Sequence, residues 1–271
     1  MTSTTSAPCR VRTMSPKAFR LADQLSGTPE KSKSSLKITE KQSTPPAVSA
    51  HWEKETAEKG SGAMITDITP LTEEAMLSVT LLVRCRESTE IQRHHICLLL
   101  GQFAVLKPTV GEVTMDMAEA LLEAGRISRA IQKGMELLGY GAMSRRRLVS
   151  KLTARGFEPD LAEGAADYLE EKGYLSEDDA AIRFAEQGLR KLWGPRRIRE
   201  DLFARGFAAD VVAQAMEELA SVDFGENCAL VISKKYGSVP EDPGARRKMV
   251  AALMRLGYTS EHIREAMRQN H

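Results

Sequence analysis

Aromatic residues make up only 5% of this chain of 271 residues. That is too few for the row of rings on which single-stranded nucleic acid bases stack. No run of 18 apolar residues occurs either. The most apolar segment, HICLLLGQFAVL (95–106), is too short to span a bilayer, which excludes a membrane-crossing helix there. The four cysteines, Cys9, Cys85, Cys97 and Cys228, form no CxxC and have no histidine at ligand spacing, so they read as reduced thiols of an intracellular protein. A Gly-rich phosphate loop and a metal-spaced His or Cys cluster are also missing, so no cofactor is called for. His94 and His95 are adjacent, and in a strand they would point to opposite faces. Asp178 and Asp179 are explained as first-turn charges of a helix. The chain therefore does not read as an enzyme. Its formal net charge of +1 says nothing by itself about nucleic acid.

Composition divides what is present. Residues 1–62 are rich in Ser, Thr, Pro and Lys and poor in large apolar side chains, the signature of a disordered tail. The first 22 residues hold Arg10, Arg12, Lys17 and Arg20 and no acid, which also fits an organelle transit peptide. A third reading takes them as an extension upstream of a native start at Met64. Residues 63–125 read as a small β-rich segment plus helix: MITDITPL and AMLSVTLLVRC carry β-branched residues in partial alternation. KPTVGEVT (107–114) is a turn region before a helix at about 115–124.

From Ile127 onward the pattern is helical and repeats itself. SRRRLVSKLTARGF (144–157), GPRRIREDLFARGF (194–207) and ARRKMVAALMRLGY (245–258) align without gaps. Beyond them Asp160, Asp210 and Glu261 coincide, as do Ala165, Ala215 and Ala266. The repeats are assigned to 126–174, 175–223 and 224–271, each of three helices. In the second, Ser176 and Asp179 make a capping box. Gly194 and Pro195 end the first helix and begin the middle one. Gly156, Gly206 and Gly257, each followed by an aromatic, read as left-handed ends of the middle helices. The third helices begin near Pro159, Ala209 and Ser260.

The middle helices open with basic pairs at the wrong end, since a helix N-terminus prefers acids. Ile198 and Leu202 mark the core face, as do Leu148 with Leu152 and Met249 with Leu253. At about 100° per residue, Arg196 points about 160° from Ile198 and Arg197 about 100°. Arg146 with Arg147, and Arg247 with Lys248, are the equivalents. Arg145, Lys151, Arg155, Arg190, Lys191, Arg199 and Arg205 add further positive charge, while Glu163, Asp167, Glu170, Glu171, Glu217 and Glu218 fall on the third helices. Nothing in the stability of an isolated helix asks for this placement. Its recurrence argues for a basic binding surface facing phosphates or acidic protein.

These same residues resemble the RecX regulators of the RecA recombinase. GPRRIREDLFARGF, SEDDAAIRFAEQ (176–187), SRRRLVSKLTARGF and the weaker third copy carry the resemblance, which covers roughly 64–271. Asp178-Asp179 is followed by Ala180-Ala181 where the family usually has an aromatic and then Ala, and Phe184 comes a turn later. The third copy has Ala245-Arg246 in place of Gly-Pro. The resemblance implies a mainly α fold of three tandem helix-turn-helix-like units in a curved array. It also implies a monomeric cytoplasmic bacterial protein (an organelle, should the N-terminus be a transit peptide). Its partner would be RecA on single-stranded DNA, bound along the filament groove, with filament growth, ATP hydrolysis, strand exchange and co-protease activity all lowered. By matching position, the contact residues implied are Arg146, Arg147, Lys151, Arg196, Arg197, Arg199, Arg205, Arg247 and Lys248. Two other partners fit the basic edge: DNA bound weakly and without sequence preference, or another acidic protein.

Overall fold

A computed structural model describes residues 50–71, 76–85 and 90–269. The N-terminal arginines on which the transit-peptide reading rests lie outside them. The chain divides into two compact units between Arg129 and Ala130.

In the first unit, helix α1 (Ala50–Lys59) precedes strands β1 (Gly62–Leu71), β2 (Met76–Arg84) and β3 (Ile91–Leu99). Then come α2 (Leu100–Leu106), the short β4 (Gly111–Val113) and α3 (Met115–Gly139). The strands form one antiparallel sheet in the order β3-β2-β1-β4, with an irregular register in β1 between Ile65 and Asp67. Alternation places Ile65, Val79, Leu81, Val83, Ile96 and Leu98 in one core with Ala118, Leu121 and Ala124 of α3. His94 and His95 follow the same alternation. His94 is half-buried, and its pKa is lowered by desolvation. His95 is exposed, with Nδ1 at 3.3 Å from Thr80 Oγ1 across the β2–β3 ladder.

Among the described residues regular structure starts at Ala50, inside the span 1–62 whose composition suggests none. Trp52 is the reason: its large ring is 2% exposed and anchors α1. Thr56, 4% exposed, donates its hydroxyl to the Trp52 carbonyl at 2.8 Å. At the other end of the unit, the helix expected at about 115–124 does not stop there but runs unbroken to Gly139.

The second unit is helical among its described residues. After the later part of α3 come α4 (Arg145–Thr153) and α5 (Pro159–Glu171). Next are α6 (Glu177–Arg190), α7 (Pro195–Ala204) and α8 (Ala209–Glu217), then α9 (Phe224–Tyr236), α10 (Pro243–Arg255) and α11 (Ser260–Gln269). The middle helices of the three repeats are thus α4, α7 and α10. Leu148 with Leu152, Ile198 with Leu202 and Met249 with Leu253 are all at most 1% exposed, at the positions the sequence marks as core. Truncating such a residue to Ala costs about 2–5 kcal/mol, well above any single surface ion pair. Ala180 and Ala181 are buried as well. Phe184, the delayed aromatic, packs on Phe207 with ring centres 6.0 Å apart.

The ends of the middle helices repeat closely. Gly156, Gly206 and Gly257 have φ of 89°, 87° and 92°. The amides of Phe157, Phe207 and Tyr258 reach back to the carbonyls of Leu152, Leu202 and Leu253 at 3.3, 3.3 and 3.2 Å. These are the six-to-one bonds of a Schellman end, as Gly-aromatic predicts. The Ser176 hydroxyl accepts from the Asp179 amide at 3.3 Å, the N-cap half of the expected capping box.

Candidate functional site

The N-terminus of each of the first two middle helices meets the C-terminus of the next one. Ser144, the N-cap of α4, donates its hydroxyl to the Arg205 carbonyl at the end of α7, at 2.7 Å. Gly194, the N-cap of α7, donates its amide to the Leu256 carbonyl at the end of α10, also at 2.7 Å. Arg205 and Leu256 are aligned positions, so the two joints are homologous. In the second joint the Arg196 amide also donates to the Gly257 carbonyl at 3.2 Å, and the Tyr258 hydroxyl donates to the Leu192 carbonyl at 2.9 Å.

The chemistry differs between the joints. A serine hydroxyl spaces the first. In the second, backbone meets backbone: a Cβ on Gly194 would overlap the Gly257 carbonyl, and one on Gly257 would overlap the Arg197 amide nitrogen and Cβ. Gly194 therefore serves close approach rather than ending α6. That helix stops at Arg190, and the chain turns through Leu192 in the left-handed region, φ 54°.

This geometry changes the meaning of the basic pairs. The positive end of α7 faces the carbonyl end of α10, and α4 faces α7 in the same way, so each joint sets opposite helix poles together. Arginines at such a joint also lie beside the neighbour's carbonyl end, which offsets their unfavourable position on their own helix. Arg146 borders Gly206, with its Cβ and Cδ each 3.6 Å from where a Cβ on that glycine would stand, and Arg197 packs directly on Gly257. The fold therefore gives a reason for the placement that the isolated helix lacks.

Several of the cations singled out in the sequence are engaged internally. Arg145 contacts Asp167, Glu163 at 3.4 Å and Glu170 at 3.7 Å, and its own amide donates to Glu177 at 2.8 Å. The hydrogen bond to Asp167 is the main cause of its raised pKa. The acids of the third helix are thus not segregated from the basic edge at this point. Arg205 is held by Asp201 at 2.6 Å and lies 4.0 Å from the Phe184 ring centre. Arg197 lies 4.3 Å from the Trp193 ring centre, with the Lys191 ammonium 4.8 Å from the same ring. Lys151 is half-buried, and its carbonyl accepts from Arg155 at 2.9 Å.

Of the nine contact residues that the resemblance implies, six are exposed: Arg146, Arg147, Arg196, Arg199, Arg247 and Lys248. Among the described residues none has a carboxylate at ion-pair distance. They are distributed one group per repeat. In the third repeat the group is displaced along its helix. α10 begins a turn earlier than its counterparts, with Asp242 as N-cap and Pro243-Gly244 ahead of Ala245, so Arg247 and Lys248 occupy its second turn rather than the first.

Comparison with known proteins fits this array. Residues 176–216 match the model of the second three-helix domain of RecX, and 225–267 match that of the third. A regulatory protein RecX from Stenotrophomonas maltophilia (strain R551-3) is 35% identical over 143 residues, 51% of this chain and 85% of that protein. The chain belongs to the RecX family. Another RecX, from Xanthomonas axonopodis pv. citri (strain 306), is 33% identical over 158 residues, covering 57% of this chain and 97% of its own. A crystal structure of regulatory protein RecX shares the fold with a TM-score of 0.58 at 17% identity, over 76% of this chain and 99% of that one.

Sequence reasoning missed the joint residues of this RecX-family chain. Ser144, Leu192 and Gly194 act between repeats, and a helix-by-helix reading gives them only caps and turns. The alignment of Gly194 with Ser144 was the available signal, since both residues are small. Arg145 offers a check on the division of labour. Arg145→Ala should lower stability by about 1 kcal/mol, the scale of a surface ion-pair network, and leave partner binding unchanged. Urea denaturation beside a binding titration measures both, and a binding defect without destabilisation would return Arg145 to the interface.

Proposed function

We propose that this chain regulates RecA by lying along the groove of the RecA filament on single-stranded DNA, mainly as an inhibitor. It restrains filament growth and, with it, ATP hydrolysis, strand exchange and co-protease activity. The supporting observation is the recurrence of exposed, unneutralised cations once per repeat: Arg146 with Arg147, Arg196 with Arg199, and Arg247 with Lys248. A partner made of repeating subunits suits a surface that repeats. The relatives' name, regulatory protein RecX, supports a regulatory role.

The test is RecA's ATP hydrolysis on single-stranded DNA, titrated with this protein. Inhibition should saturate well below one molecule per RecA, because arresting growth at a few points limits a whole filament. No inhibition, together with salt-sensitive binding to bare DNA, would favour the second reading, in which the same cations contact phosphates without sequence preference. The slope of log affinity against log salt would then count the phosphates neutralised.

A further inference from the structure

The two joints between repeats differ at one place that bears on binding. In the first joint, Asp201 and Arg205 of α7 pair with each other beside Phe184. The aligned residues in α10 are Ala252 and Leu256. Neither carries charge, and the side chains of the second joint enclose an open cleft of about 330 Å³ instead of an ion pair. Arg197 comes to it from α7, Lys235 from α9 and Arg255 from α10, and no Asp or Glu lines it. Val231 and Leu253, both at most 2% exposed, form its apolar floor with Leu256. Three cations thus converge where the homologous joint holds a carboxylate of its own.

We propose that this cleft binds an acidic, partly apolar peptide segment of a protein partner. A carboxylate would sit among Arg197, Lys235 and Arg255, in the role that Asp201 fills one repeat earlier, and a neighbouring apolar side chain would cover Ala252 and Leu256. The carbonyl end of α10 does not oppose an anion here, because the Leu256 and Gly257 carbonyls already accept from the Gly194 and Arg196 amides. A phosphodiester chain fits less well: it would leave the apolar floor uncovered, and the nearby Trp193 ring is already engaged by Lys191 and Arg197. The cleft's chemistry is independent of whether RecA is the partner.

The chain has two tryptophans, so a Trp52→Phe background leaves Trp193, whose ring adjoins Arg197, as the reporter. The probes are the synthetic peptide acetyl-LDELDL-amide, its neutral counterpart acetyl-LNQLNL-amide, and a short oligothymidylate. The acidic peptide should change Trp193 emission saturably and bind at least about tenfold more tightly than the neutral one, since the discrimination is by charge. Lys235→Ala with Arg255→Ala, both at exposed positions, should abolish that preference. Ala252→Asp should do so from the opposite direction, by supplying the missing carboxylate from within the chain. Equal binding of the two peptides, no saturable change, or displacement of the acidic peptide by tighter-binding oligothymidylate would each overturn the proposal. So would undiminished binding in a folded Ala252→Asp protein. Should that variant fail to fold, the Lys235/Arg255 pair decides. A normal RecA titration beside an empty cleft would sink this inference alone.

Discussion

Gly257→Ala should destabilise the protein by about 3 kcal/mol, against about 1 kcal/mol for Gly156→Ala, although both glycines end middle helices with the same left-handed backbone. The shared part is the strain of placing a Cβ at positive φ. The difference is the joint. A Cβ at Gly156 meets nothing within 4 Å, whereas at Gly257 it would overlap the Arg197 backbone. To accommodate it α7 must withdraw, stretching the bonds from the Gly194 and Arg196 amides to α10, each worth about 1 kcal/mol. Gly194→Ala should behave like Gly257→Ala, since its Cβ would overlap the opposite side of the same contact. Urea midpoints rank the variants. Hydrogen exchange at the Gly194 and Arg196 amides localises the effect: protection there should fall in Gly257→Ala and persist in Gly156→Ala. Equal destabilisation by the two substitutions would mean that the joint contributes nothing.

Replacing Arg146, Arg147, Arg196 and Arg199 together by Ala should weaken inhibition of RecA's ATP hydrolysis at least about fourfold, with little change in stability. Four exposed charges at about 0.2–1 kcal/mol each sum to roughly 1–4 kcal/mol, a factor of about four to several hundred, and the loss should shrink as salt rises. The matched comparison is Arg145→Ala with Arg205→Ala. Those two cations are committed to Asp167, Glu163 and Asp201, so their loss should cost stability and spare inhibition. A protein that loses inhibition only in the second set would transfer the binding role from the free cations to the internally paired ones.

Much of this architecture is legible in the residues, because it rests on local rules. Core spacing, the Gly-aromatic helix ends and the starts at Pro159, Ala209 and Ser260 all follow from one turn of chain, and the structure has each of them there. The joints are not legible, because they join residues about sixty apart in sequence: Ser144 with Arg205, Gly194 with Leu256, Leu192 with Tyr258. Composition cannot reveal that Gly194 has a carbonyl against its Cα. The same distance hides which arginines are spent internally. Arg145 and Arg146 are neighbours of identical chemistry, yet one faces three carboxylates of α5 and the other faces solvent. Trp52 is a different case. One large ring was enough to order a helix inside a stretch whose average composition reads as unstructured.

The first turn of α10 sets the third module apart from the other two. The amides at the start of α4 and α7 look outward, to the following unit, for part of their hydrogen bonding. Asp242 instead turns its carboxylate back on its own helix, accepting from the Ala245 amide at 2.6 Å. Were another unit to dock there as its predecessors do, that carboxylate would face a ring of carbonyl oxygens and be repelled. The modules are therefore not interchangeable: excising the third would strip α7 of its acceptors, and in α10 the residue aligned with Ser144 and Gly194 is Ala245, which lies inside the helix rather than at its cap. Duplication accounts for the periodicity, while Asp242 gives the third module a first turn capped from within its own helix.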